Sequence, residues 1–115
     1  MSITKEREIK ELKDEIERQI SIVQKTGKLR YGLRNVIRAL QRGEAKAIVV
    51  AEKIPIDMKN LIKYYAALMG VPIIEFPGTS AELGTAAKRP HIIAAIAVLD
   101  LRVSKLLEYS KEISL

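Results

Sequence analysis

Three arginines, Arg34, Arg38 and Arg42, recur four residues apart within "GLRNVIRALQR". On a helix this spacing aligns them in one ridge, roughly opposite the apolar face of Val36, Ile37 and Leu40. Guanidinium groups arrayed in this way suit RNA phosphates and the edge of a guanine. Gly32 stands directly before the ridge. A residue without a side chain permits close backbone approach, and the free N–H groups of a helix start favour anions. Arg34 and Asn35 can both donate there. A second basic cluster, "AKRPHI", sets Lys88 and Arg89 before Pro90 and the only histidine, His91. A tight turn at Pro90 can hold both cations near phosphates and leave His91 and Ile92 as flat or apolar surface for an unstacked base. Each cluster also has a plain structural reading: Gly32 as a turn residue, "KRPH" as a helix-to-strand connector.

Other chemistries lack their parts. There is no cysteine, so disulfides, thiolate nucleophiles and cysteine-ligated zinc are excluded, and a single histidine excludes imidazole metal clusters. "GKLRYGLR", Gly27 to Arg34, has two glycines at phosphate-loop spacing but lacks the Lys and Ser/Thr that would reach the terminal phosphates and magnesium. No glycine triplet of the dinucleotide-binding form follows a strand. His91 as a general base would need a nucleophile and an orienting acid, and no nucleophile elbow is present. Glu52, Asp57, Glu75, Glu82 and Asp100 are dispersed near the ends of elements, and Asp57 and Glu82 suit helix N-termini. No catalytic residue, metal site or cofactor is expected.

Charge adds direction to these motifs. The net charge is +6; residues 1 to 24 sum to −1, residues 25 to 46 to +6 and residues 47 to 115 to +1. The middle segment therefore holds the whole excess, the footprint of a polyanion-binding surface or of a solvated cationic face. The N-terminus alternates charge signs without the apolar core of a secretory signal, and no segment is apolar enough to span a bilayer, so a cytoplasmic protein is expected.

The elements that must position these groups follow from periodicity. Ile9, Leu12, Ile16, Ile20 and Val23 form the one-sided stripe of a first helix ending by Gly27, with Glu6 and Lys10 and Asp14 and Arg18 as supporting pairs. "KLRY" is extended, and a second helix with Leu33, Val36, Ile37 and Leu40 on one face closes at Gly43. "AKAIVVA" reads as a central strand covered on both faces. Pro55 or Asp57 opens a third helix with a stripe of Met58, Leu61, Ile62, Tyr65 and Leu68, ended by Gly70. "VPIIEF" is a strand, Thr79 and Glu82 have capping-box spacing before a short helix stopping near Ala87, and "IIAAIAVLD" is another buried strand. A last amphipathic segment uses Val103, Leu106, Leu107 and Ile113. At 115 residues the chain is expected to be one domain, a three-layer α/β/α sandwich with a mixed, roughly four-stranded sheet.

From Lys25 onward the chain resembles a known family, on the strength of "TGKLRYG", "GEAKAIVVAEKIP", "IKYYAALMGVPIIEFPGTSAELGT" and "RPHIIAAIAVLD". The family is the thirtieth large-subunit ribosomal protein of archaea and eukaryotes, here of archaeal type, within the wider group of kink-turn RNA-binding proteins. The first helix is several residues longer than usual in that family. The resemblance implies a sandwich that grips a sharply bent RNA, an internal loop with an extruded nucleotide and sheared G·A pairs. The start of the second helix would enter the widened groove, and a neighbouring loop would cover the extruded base. Gly27, Lys28, Gly32, Leu33, Arg34 and Asn35 match the first surface, to which the ridge adds Arg38. Lys53 follows the central strand, and Lys88, Arg89, Pro90 and His91 match the covering loop. Related guide-RNA adaptors carry an Asn-Glu pair where this chain has Arg34 and Asn35, which favours the ribosomal branch.

The expectation is a non-enzymatic constituent of the large ribosomal subunit, monomeric within the particle. Its partners would be ribosomal RNA and neighbouring large-subunit proteins, with no membrane contact. Three rivals stand beside it: a kink-turn adaptor in a guide-RNA or RNase P particle, a small nucleotide-dependent enzyme, and a protein-docking module using the mixed-charge first helix.

Overall fold

The computed structural model describes residues 3–25, 28–88 and 92–100. Among them the chain forms α1 (Ile3–Gln24), β1 (Leu29–Tyr31), α2 (Leu33–Gln41), β2 (Ala47–Val50), α3 (Ile56–Met69), β3 (Ile73–Glu75), α4 (Ser80–Ala86) and β4 (Ala95–Val98). The strands make one mixed sheet in the order β1-β4-β2-β3, with β4 antiparallel to both β1 and β2 and with β3 parallel to β2. The expected α/β/α sandwich with a mixed four-stranded sheet is the observed one. Its C-terminal amphipathic segment, with Val103, Leu106, Leu107 and Ile113, lies outside the described residues.

Both central strands are buried at every position, and their residues divide between two cores. Ala47, Val49, Ile96 and Val98 face α1 and α4, where they meet Ile16, Ile20, Val23 and Leu83. Ile48, Val50, Ala95 and Ala97 face α2 and α3, where they meet Val36, Leu40, Ile62 and Ala66. The register sets Ile48 beside Ala97 and Val50 beside Ala95, so each large side chain on that face has a small neighbour. Alternating volumes of this kind let two helices settle on the sheet without voids.

The first helix buries Ile16, Ile20 and Val23 as its stripe requires, while Ile9 at the start of the stripe is 40% exposed. Arg18 pairs with Glu15 at 3.1 Å, one turn back, and not with Asp14. The side chain of Glu6, expected to pair with Lys10, is outside the described ones. On α3 the stripe is narrower than the spacing implies. Ile62 and Ala66 are buried and Met58 and Tyr65 partly so, but Leu61 and Leu68 are 38% and 63% exposed. At about 100° per residue, Leu61 and Leu68 stand well round the helix from the Ile62–Ala66 face that docks beside α2.

The capping box before α4 is complete. The Thr79 hydroxyl accepts from the Glu82 N–H at 3.1 Å, and the Thr79 N–H donates to the Glu82 carboxylate at 3.1 Å. Glu82 also pairs with Lys13, joining the start of α4 to α1. Asp57 lies in the first turn of α3, where its negative charge complements the helix dipole.

Candidate nucleic-acid interface

The strand directions gather four connections at one end of the sheet. β1, β2 and β3 finish there and β4 begins there. Backbone hydrogen bonds stitch the connections together. Gly32 N–H donates to Ala95 C=O at 3.0 Å, Ala51 N–H to Ala94 C=O at 2.9 Å, Glu52 N–H to Gly78 C=O at 3.0 Å and Ile93 N–H to Ser80 C=O at 3.1 Å. Side chains carried by separate loops are thus held on a common frame.

Gly32 has φ 93° and ψ 151°, a region open essentially to glycine alone, and this turn lets the chain leave β1 and start α2 at once. No side chain caps the helix. The first helical bond runs from Val36 N–H to Gly32 C=O at 2.9 Å, so the N–H groups of Leu33, Arg34 and Asn35 point out of the helix end without a backbone acceptor. An anion can supply what is missing. Asn35 donates its side-chain amide to Tyr31 C=O at 2.9 Å, which fixes the group and leaves its amide oxygen to accept. Arg34 is exposed and has no side-chain partner among the described residues. Leu33 is half-buried against the α2/α3 core and holds the helix start down on the sheet. Arg38 lies one turn further on, exposed.

Lys53 leaves β2 at the same end, and Lys88 follows the C-cap of α4. Both are exposed and both have φ 58°, the left-handed region that side chains other than glycine seldom adopt. Ile92, 71% exposed, stands where the chain returns toward β4. Gly27, Arg89, Pro90 and His91 lie outside the described residues.

One predicted residue is elsewhere. Lys28 precedes β1, and its carbonyl accepts from Leu99 N–H at 2.9 Å, beyond the last residue of β4. The three residues of β1 separate it from Gly32, four steps or about 13 Å along the strand direction. The frame therefore brings Gly32, Leu33, Arg34, Asn35 and Lys53 to one end and puts Lys28 at the other, while Lys88 stands just past the end of α4, whose Ala86 C=O accepts from the Ser21 hydroxyl of α1 at 3.2 Å. It also offers a residue that the sequence reading missed. Ile56 opens α3 just after the Lys53 loop and is 65% exposed. Its signal was the pair of isoleucines flanking Pro55, which the helical stripe did not include.

Among the described residues no group of three or more His, Cys, Asp or Glu side chains could hold a metal ion, and no helix is long and apolar enough to cross a membrane.

Fold and charge together define a small α/β/α sandwich with a cationic sheet end. The chain belongs to the ribosomal protein L7Ae/L30e/S12e/Gadd45 family, whose profile matches residues 14–108. It is 45% identical over 94 residues to the large ribosomal subunit protein eL30 of Pyrobaculum calidifontis, covering 82% of this chain and 93% of that one. To the eL30 protein of Methanopyrus kandleri it is 43% identical over 86 residues, covering 75% and 79%. Among solved structures, a protein of unknown function from Bacillus halodurans superimposes with a TM-score of 0.74 at 21% identity, over 83% of this chain and 95% of that one, a likeness of fold. The two archaeal relatives are named as large-subunit ribosomal proteins, and the chain, a member of their family, is not an enzyme.

Proposed function

We propose that the chain is a structural constituent of the large ribosomal subunit and that its cationic sheet end binds a kink-turn-like element of ribosomal RNA. The reading is carried by one observation: the uncapped start of α2, with Arg34 and Asn35, shares a hydrogen-bonded frame with the Lys53 and Lys88 loops. Its relatives' names support the ribosomal setting, which places the protein in the cytoplasm. In this account the N–H groups of Leu33 to Asn35 and the Arg34 guanidinium enter the widened groove of the bent RNA. Lys53 and Lys88 neutralise the flanking phosphates. Ile92, with Ile56 nearby in the sequence of loops, offers apolar surface to an extruded base, the mode by which proteins read unstacked RNA. Arg89, Pro90 and His91 complete the covering loop. The protein works as one domain and as a monomer.

No chemistry is needed. Binding shifts the RNA from its extended toward its bent population, by the difference in affinity for the two forms. The presence of Arg34 and Asn35, in place of the Asn-Glu pair of guide-RNA adaptors, supports the ribosomal assignment over the adaptor one. The test is a titration of the protein into a kink-turn ribosomal RNA fragment labelled with a fluorophore pair at its two stem ends. Energy transfer rises to saturation with that fragment and not with a straight duplex of equal length. Equal binding of the two RNAs without bending would remove the kink-turn assignment.

A further inference from the structure

The arginine ridge does not stop at the sheet end just described. Arg34, Arg38 and Arg42 are all exposed and climb α2 in steps of about 6 Å, leading to the opposite end of the sheet. There the helix closes in a Schellman motif, with Gly43 N–H donating to Leu40 C=O at 3.1 Å and Glu44 N–H to Ala39 C=O at 2.9 Å. This fixes the direction of the turn that carries Arg42. Lys46 follows and is pinned by its N–H to Val98 C=O at 2.7 Å, while Lys28 is pinned by its carbonyl to Leu99 N–H at 2.9 Å. Two exposed lysines thus flank the end of β4 from either side, two strand spacings or about 10 Å apart.

The fold does not use the charges of the ridge or of Lys46. Arg38, Arg42 and Lys46 make no side-chain hydrogen bond or ion pair among the described residues. Arg38 and Arg42 suffice to complement the dipole at the end of α2, which leaves Lys46 without a structural task. Glu44 is the one carboxylate between Arg42 and Lys46, and Asp100, close by in sequence to Leu99, is half-buried. Neither α2 nor the turn after it exposes a large apolar or aromatic side chain. Met69 at the end of α3, 45% exposed, lies beside Gly43 but carries no flat ring, so the surface offers charge at fixed positions without an aromatic stacking platform, which suits phosphates.

We propose that Arg42, Lys46 and Lys28 form a second contact for an RNA phosphate backbone, at the opposite end of the sheet from the kink-turn surface and joined to it by Arg38. This rests on the RNA-binding reading above and extends it: one protein touches RNA at both ends of α2, about 13 Å apart. The phosphates belong either to a longer stretch of the same stem or to a separate helix.

The experiment measures affinity and its salt dependence for wild type and for Arg42→Gln/Lys46→Gln. Three RNAs are used: a minimal kink-turn with short stems, the same element with one stem lengthened by a helical turn, and a plain duplex offered to protein already loaded with the minimal element. The variant binds the minimal RNA as wild type does. For the RNA that reaches the far end, its slope of log affinity against log salt is shallower by about two. Its affinity at low salt falls about tenfold. A difference in the lengthened-stem arm assigns the phosphates to the same stem, and one in the plain-duplex arm assigns them to a separate helix. Arg42→Lys/Lys46→Arg, which keeps the charges, restores the wild-type slope. Unchanged affinity and slope with both the lengthened stem and the duplex would overturn the proposal. Failure of wild type to bind the minimal RNA would strike the kink-turn reading instead, and plain duplex binding by the unloaded protein would still decide this one.

Discussion

Lys53 and Lys88 are the two described non-glycine residues held at positive φ; Lys53 lies at the proposed RNA end and Lys88 directly after the C-cap of α4. A lysine in this conformation costs about 1 kcal/mol that a glycine would not. Strain of this kind persists where the side chain has another task. Lys53→Gly should therefore leave stability level, or raise it by up to about 1 kcal/mol, while weakening RNA binding. A thermal melt and a binding isotherm on the same preparation check both halves; a variant that melts lower and binds as well as wild type would contradict them. Gly32 poses the opposite case. Its φ of 93° forbids a side chain on backbone grounds, although a Cβ there would meet no atom within 4 Å. Gly32→Ala is expected to cost about 1–3 kcal/mol and to displace the start of α2, reducing RNA affinity as well as the melting temperature.

Among the elements, α4 shows how local sequence sets a functional frame. Thr79 and Glu82 start it, Glu82 ties it to Lys13 on α1, and Ser80 C=O receives the Ile93 N–H that steers the chain back toward β4. Losing the cap in Thr79→Ala should cost about 1 kcal/mol. That corresponds to a melting temperature lower by about 4 °C, readable by circular dichroism. Removing Ile62 from the α2/α3 core, where it is 1% exposed, should cost about 2–5 kcal/mol in Ile62→Ala through the cavity left behind. The helices were legible because their stripes and stops are local: Ile16, Ile20 and Val23, or Thr79 with Glu82, need no tertiary knowledge. Leu61 and Leu68 misled because spacing gives the apolar positions of a helix and not the width of the surface it docks on. The strands came out shorter than their apolar runs. "AKAIVVA" supplies only Ala47–Val50 as a strand, and its flanking Ala45 and Ala51 are buried in the two cores beyond the strand ends.

For the molecule as a whole, the charge excess of residues 25 to 46 divides between two ends. The family resemblance joins Lys28 to Gly32 and Arg34 on one surface. A three-residue strand separates them, and only the antiparallel pairing of β1 with β4 shows that they emerge at opposite ends of the sheet. The family resemblance sets Lys53 with that surface, and the sheet order puts it at the Gly32 end, where three strands finish and one begins. A surface of this kind makes binding depend on released counterions. Affinity should fall linearly with salt on a double-logarithmic plot, by about 0.9 for each duplex phosphate neutralised. The central claim is that the start of α2 reads the RNA, and equilibrium binding of a kink-turn ribosomal RNA to Arg34→Ala/Asn35→Ala tests it most directly. The double variant should melt close to wild type, since it loses only the exposed Asn35–Tyr31 hydrogen bond, and bind at least about fivefold more weakly, the loss of about 1–3 kcal/mol expected for a specific contact. An affinity equal to that of wild type, in a variant that melts at the same temperature, would contradict it.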